Sequence, residues 1–110
     1  ENINYIVELK KSVVTSGDLI RLMNHADDQV VLKTAQLIKK ITPDNAIHAL
    51  KYHLIHSKNE SVQLAVLDAI AEYGIETRPY ASQLRAFLHV SKSDQVKQKI
   101  IIVLKQINGL

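Results

Sequence analysis

One four-residue pattern occurs three times along the chain and sets the length of its structural unit. The three copies are Asp27-Asp28-Gln29-Val30, Asn59-Glu60-Ser61-Val62 and Ser93-Asp94-Gln95-Val96. Their valines are separated by 32 residues (30 to 62) and then by 34 (62 to 96). A unit of this length accommodates one pair of antiparallel helices. The spacing therefore predicts a chain built from stacked helical hairpins.

Each copy of the pattern has the chemistry of a helix N-terminus. Its first residue, Asp27, Asn59 or Ser93, has a side chain that accepts hydrogen bonds from the free amides of a first turn. An acidic residue follows in all three copies, and a negative charge is favourable at the positive end of the helix dipole. Each pattern therefore predicts the start of the second helix of a hairpin.

Apolar residues recur in register after each valine, with Thr34 as the one imperfect member. They lie four, five, seven, eight and eleven residues downstream, which is the spacing of a broad buried stripe on a helix. The three sets are Thr34, Ala35, Leu37, Ile38 and Ile41; Val66, Leu67, Ala69, Ile70 and Tyr73; and Ile100, Ile101, Val103, Leu104 and Ile107. This repetition predicts that the second helices form the core.

The same register extends upstream and gives the limits of the units. A leucine stands eight residues before each valine and predicts a first helix in each pair: Leu22, Leu54 and Leu88. Pro43 and the segment 74–79 separate the units, because proline cannot continue a helix and glycine favours a helix end. The sequence therefore predicts a single domain, 1–110, with three hairpins: 18–41, 46–73 and 80–108.

A further helix is predicted before the first hairpin, at 3–14. Its apolar residues, among them Ile3, Ile6 and Leu9, fit the second half of a hairpin whose beginning would fall before Glu1. We therefore expect the chain to be a fragment of a longer array, and a free-standing capping helix is the alternative.

Composition agrees with an all-α fold. Hydrophobic residues make up 46% of the chain, and only three glycines and two prolines are available for turns. The absence of cysteine excludes disulfides, Cys-based zinc sites and thiol catalysis. No apolar run approaches the roughly 18 residues of a transmembrane helix. We expect a cytoplasmic protein, with a nuclear location also open.

These residues resemble the HEAT and armadillo-type repeats of α-solenoid proteins across essentially the whole chain. The likeness lies in the acidic residue and valine that open each second helix, as in Asp28 and Val30, and in the small or apolar residues that follow. The resemblance implies a right-handed α-α superhelix of about three HEAT-like hairpins plus an N-terminal helix. Stacked hairpins form an extended concave surface, which favours a scaffold that binds a protein or peptide.

A second resemblance is to VHS domains, the superhelical modules of endosomal sorting adaptors. It covers the segments 46–51, 58–68 and 72–74, and the segment 96–107 is similar to the last core helix of those domains. This alternative implies a module that recognises ubiquitin or acidic-leucine cargo signals in vesicular sorting. Both resemblances imply the same superhelical architecture.

In a HEAT-like array the second helices line the concave face, so residues beside their buried stripes project into the groove. Seven residues are predicted there: Lys33, Gln36, Lys40, Asp68, Glu72, Lys99 and Gln106. Their charges run cationic, anionic, cationic, which suits a protein or peptide partner. Nucleic acid is not expected, because a phosphate backbone prefers an unbroken positive track and single strands need aromatic stacking platforms. The sequence leaves the oligomeric state open.

The sequence predicts neither an enzyme nor a cofactor or metal site. His53 and His56 are three residues apart on a predicted helix, but no third ligand follows in a familiar zinc spacing. No GxSxG or HExxH motif occurs. A HEAT-type DNA glycosylase or bilin lyase would need an aromatic-lined or acid-bearing cleft, which the sequence does not indicate.

Overall fold

The computed structural model describes residues 16–25, 27–43 and 46–108, which contain six α-helices and one 3₁₀ helix. The α-helices are α1 Ser16–Met23, α2 Asp28–Ile41, α3 Ile47–His56, α4 Glu60–Glu72, α5 Ala81–Val90 and α6 Asp94–Gln106. The 3₁₀ helix Gly74–Tyr80 connects α4 to α5. The all-helical fold class predicted from the sequence is confirmed for these residues. The predicted helix 3–14 lies outside them.

The three predicted starts of the second helices are correct. Helices α2, α4 and α6 begin directly after Asp27, Asn59 and Ser93. In each case the side-chain oxygen of this N-cap residue accepts a hydrogen bond from a first-turn backbone N–H, at 2.8 to 3.2 Å. Local capping chemistry therefore determines where these helices begin.

The turn before each second helix also has the same hydrogen bond in all three hairpins. The backbone N–H of the N-cap residue donates to the side chain two positions earlier, at 3.0 to 3.3 Å. The three acceptors are His25 Nδ1, Ser57 Oγ and Ser91 Oγ. This repetition shows that the hairpins share one turn geometry as well as one register.

The second helices form the continuous part of the core. Each first helix packs on its own second helix, and the second helices pack on one another in the order α2, α4, α6. The middle helix α4 has the most extensive buried surface, contributed by Val62, Ala65, Val66, Leu67, Ala69 and Ile70. The described chain measures 40 × 26 × 16 Å. In this part of the chain, no helix is both long and apolar enough to cross a membrane.

The three anchoring valines are not equally buried. Val62 and Val96 are 1% and 0% exposed, whereas Val30 is only half-buried and Val31 is buried in its place, at 3% exposure. The main neighbours of α2 in the described chain are α1 and α4, while α4 lies between two second helices. The valine position is therefore equivalent in the second and third hairpins and not in the first, although Thr34, Ala35 and Ile38 of α2 are buried at their predicted places.

The connection between the second and third hairpins contacts the ends of both second helices. Gly74 has a φ of +57°, a left-handed conformation that glycine adopts without strain, and it stops α4. The buried Thr77 Oγ1 donates to the carbonyl of Ile70 at 3.1 Å, and Arg78 Nε donates to the carbonyl of Ile107 at 3.3 Å. The C-terminal ends of α4 and α6 are therefore held by one segment.

The connection between the first and second hairpins is held by a tyrosine. The hydroxyl of Tyr73, at the end of α4, donates to the carbonyl of Pro43 at 2.5 Å. Tyr73 is half-buried, and its ring packs against the core. One side chain therefore serves both as a core contact and as a tie to the preceding loop.

We expect Asn59→Ala and Ser93→Ala each to lower the free energy of unfolding by about 1 kcal/mol, because each change removes the acceptor that caps a second helix. Urea denaturation followed by circular dichroism measures this. Ser61→Ala, at an exposed position in the first turn of α4, is the control and should change stability by less than about 0.5 kcal/mol. Equal losses in all three variants would contradict the capping role.

Candidate functional site

An open depression lies between the C-terminal half of α2 and the end of α4. Its volume is ≈ 620 Å³, and it is lined by Lys33, Gln36, Leu37, Lys39, Lys40 and Glu72. Leu37 is half-buried, and the other five residues are exposed. Residues three and four apart on a helix share a face, which explains why Lys33, Gln36 and Lys40 reach the same space. Four of the seven residues predicted for the groove therefore lie around this depression.

Two further predicted residues pair with each other. Lys99 Nζ of α6 donates to Asp68 Oδ1 of α4 in an ion pair, and the two side chains keep 40% and 36% of their exposure. The pair joins neighbouring hairpins, and each charge is largely compensated by the other. Gln106 is exposed in the last turn of α6 and is not among the residues around the depression.

The depression is predominantly cationic. Three lysines surround it, and Glu72 is its one carboxylate. Lys39 and Lys40 lie in the last turn of α2, where positive charge is favourable next to the free carbonyls of the helix end. Sequence reasoning did not assign Lys39 to this surface and placed Leu37 in the buried stripe. The spacing of Lys39 from Gln36, three residues, was the signal that could have included it.

Polar contacts also join the N-terminal ends of the second helices. Asn59 Nδ2 donates to Asp28 Oδ2 at 3.3 Å, and Ser93 Oγ donates to Glu60 Oε2. In both cases the N-cap residue of one second helix contacts the first residue of the second helix in the hairpin before it. We call this the cap-to-carboxylate contact. Asn59 and Ser93, which the sequence identifies as N-caps of their own helices, therefore also link neighbouring hairpins.

Helix α3 carries a cluster of rings formed by Tyr52, His53 and His56. The ring centroid of Tyr52 lies 4.2 Å from that of His56 and 5.4 Å from that of His53. His53 is half-buried, and its Nε2 is buried without a hydrogen-bond partner among the described residues. Burial, and to a lesser extent the charge of His56, lower the pKa of His53 below 6.5.

The histidines do not form a metal site within the described ranges. There, no group of three or more His, Asp, Glu or Cys side chains is arranged to hold a metal ion. Among these residues the structure therefore shows a lowered pKa at His53 and no set of metal ligands.

Comparison with known proteins gives no assignment. Neither a family model, nor a curated protein, nor a solved structure matches this chain significantly.

We expect His53→Leu to reduce the loss of stability on mild acidification. The pKa of His53 is depressed in the folded protein, so as the pH falls below 6.5 the unfolded chain takes up a proton first and the fold is destabilised. Urea denaturation between about pH 7.5 and 5.5 should show a shallower decline in the variant than in the parent.

The exposed His89 supplies a control for the loss of one histidine, because His89→Gln leaves the ring cluster on α3 intact. That variant should keep the part of the decline that arises from His53. If His53→Leu declined as steeply as the parent chain, burial of this imidazole would not be the cause.

Proposed function

We propose that the chain is a HEAT-like α-solenoid segment that acts as a non-catalytic interaction module and binds a protein or peptide at the depression between α2 and α4. Support for the solenoid arrangement comes from the ordered packing of α2, α4 and α6 and from the repeated N-cap turns. The observation that carries the function is that three exposed lysines, Lys33, Lys39 and Lys40, line the same depression as the half-buried Leu37.

The shape of the depression supports binding of an extended chain. A small-molecule site encloses most of its ligand and directs a few polar groups inward. Here the charged side chains of Lys33, Lys40 and Glu72 are exposed along an open surface. Such a surface offers contacts to a segment lying across it, and it does not surround a small substrate.

The charges favour an acidic partner segment. The predicted groove alternates cationic, anionic and cationic groups, but Asp68 and Lys99 pair with each other. The lysines of α2 are therefore the main charges around the depression. Glutamate or aspartate side chains of a partner can pair with Lys33, Lys39 and Lys40, and an apolar side chain can cover Leu37. A short cationic cluster of this kind is not the unbroken track that a nucleic-acid backbone requires.

Glu72 makes the charge distribution of the depression asymmetric. It is the carboxylate among three lysines, and it lies on α4 while the lysines lie on α2. A partner with acidic residues toward α2 and a neutral or basic residue toward α4 fits better than a uniformly acidic one, because like charges in register are unfavourable.

We expect the double variant Lys33→Glu with Lys40→Glu to weaken binding of a fluorescein-labelled peptide, with Glu and Leu alternating in one half and neutral residues in the other, by about tenfold or more, because attraction becomes repulsion at two contacts. Fluorescence anisotropy in low-salt buffer measures the affinity, since salt screens exposed charges. Far-ultraviolet circular dichroism should be unchanged, because both positions are exposed.

Lys58→Glu with Lys92→Glu is the matched control. It changes the net charge equally, at exposed positions in the turns at the opposite end of the hairpins, and should weaken binding by less than about threefold. Equal weakening in both double variants would mean that overall charge, and not the depression, controls binding. Saturable binding of labelled ubiquitin with no binding of the acidic peptide would favour the VHS-type sorting alternative instead.

A further inference from the structure

The outward side of α3 combines apolar and basic side chains and has no carboxylate. With 3.6 residues per turn, five residues fall on one arc of about 140°: His48, Lys51, Tyr52, Ile55 and His56. Tyr52 and Ile55 are 52% and 41% exposed, and both histidines are exposed as well. We call this arc the α3 ridge. The segment 46–58, which contains α3 and the turn after it, has no aspartate or glutamate.

The rings of the α3 ridge lie beside its basic groups. The ring centroid of Tyr52 is 4.2 Å from that of His56. Lys51 Nζ lies 5.0 Å from the ring centroid of Tyr80, the residue before α5, and the His48 ring is 6.5 Å from the same centroid. Basic groups are therefore held next to aromatic rings at both ends of the ridge.

The place of α3 in the array leaves the ridge uncovered by other hairpins. α3 packs on α4, and α4 lies between α2 and α6. Both flanks of the middle hairpin are therefore already occupied, so a further hairpin stacked in the same order would not reach the ridge. The ridge also lies on a different helix from the lysines around Leu37 and does not depend on a ligand in that depression.

Apolar and basic groups in one arc fit an anionic lipid surface. At the edge of a bilayer, aromatic and aliphatic side chains are buried among the headgroups, while basic side chains are attracted to anionic lipids. A nucleic-acid strand would pair with the basic groups but would leave Ile55 in contact with water. The exposed side of one helix is also convex, so it meets a flat surface along its length, whereas single strands are bound in grooves.

Two of the basic groups gain charge on mild acidification, because histidine takes up a proton between about pH 7 and 5. Lys51 is charged throughout this range, and His48 and His56 each add a positive charge as the pH falls. The charged and titratable groups that face them from the described residues are Tyr80, Lys51 and His53 around His48, and Tyr52, His53, His25, Asp28 and Lys58 around His56. Asp28 is the carboxylate among these groups, and it accepts a hydrogen bond from Asn59.

We propose that the α3 ridge binds anionic phospholipid membranes and that this binding strengthens as the pH falls from neutral to about 6. Tyr52 and Ile55 enter the headgroup region, and Lys51, His48 and His56 contact the anionic groups of the lipids. The attachment is peripheral, because it uses one face of a helix that packs on α4 with its other face.

Vesicle sedimentation tests the proposal, with vesicles of phosphatidylcholine alone and with about 30% phosphatidylserine, at about pH 7.5 and about pH 6.0. We expect the chain to bind the anionic vesicles about fivefold more tightly at the lower pH and to bind the neutral vesicles weakly at both. The same series in His53→Leu keeps the test valid if acid lowers the helicity of the parent chain. Failure to bind anionic vesicles at about pH 6.0 would overturn the proposal.

Histidine variants test the pH dependence. His48→Gln with His56→Gln should keep the binding seen at neutral pH and lose most of the increase on acidification, because both titrating groups of the ridge are removed. His89→Gln, at an exposed position of α5 outside the ridge, is the control and should retain most of the increase. If the increase survived in the double variant, the ridge histidines would not be its source and the assignment would be wrong.

Apolar variants test the contact with lipid. Tyr52→Ser with Ile55→Ser should weaken binding about tenfold at both pH values, because two apolar side chains no longer enter the headgroup region. Ile75→Ser with Val90→Ser removes two side chains that are 66% and 68% exposed elsewhere and should change binding by less than about twofold. Equal weakening in the two pairs would refute the ridge as the contact.

A labelled oligouridine distinguishes a membrane from a nucleic acid. We expect it to bind the chain at least about tenfold more weakly than an equal concentration of anionic lipid, because it offers the apolar side chains of the ridge no burial comparable to that in lipid. Acid-dependent binding of the oligonucleotide that is lost in His48→Gln with His56→Gln, together with no binding of vesicles, would assign the ridge to single-stranded nucleic acid and exclude the membrane.

Discussion

The enclosure of α4 by its neighbours is the constraint on which the rest of the structure depends. This helix packs against α2, α3 and α6, and its larger buried side chains, Val62, Val66, Leu67 and Ile70, are at most 2% exposed. Burying a side chain of this size is worth about 1.5–3 kcal/mol each relative to exposure, whereas an exposed ion pair such as Asp68–Lys99 is worth about 0.2–1 kcal/mol. Apolar burial therefore supplies most of the stability, and the polar contacts between hairpins mainly specify their register.

The N-cap residues show how one side chain can set both a local and a tertiary feature. Asn59 and Ser93 each accept from their own helix and donate to the carboxylate of the preceding hairpin. An aspartate at the same place, as at Asp27, caps its helix equally well but has no hydrogen to donate. The choice among residues with similar capping strength therefore decides whether a link to a preceding carboxylate can form.

The features predictable from sequence were those with local causes. The starts of α2, α4 and α6 follow from capping side chains and the apolar period, so three short patterns were enough to place them. The shift from Val30 to Val31 depends on which helices surround α2, and no local signal carries that information. The pairing of Asp68 with Lys99 likewise depends on the offset between two hairpins, so the sequence placed both residues on one surface without showing that they would neutralise each other.

The 3₁₀ segment has a consequence for how the domain comes apart. Thr77 binds the carbonyl of Ile70 and Arg78 binds that of Ile107, so separating α4 from α6 requires at least one of these hydrogen bonds to break along with the buried apolar contact between the helices. The loop at Pro43 is tied to α4 by the hydroxyl of Tyr73. The 3₁₀ segment therefore couples the C-terminal end of the second hairpin to that of the third, so a disturbance of this one connection reaches both.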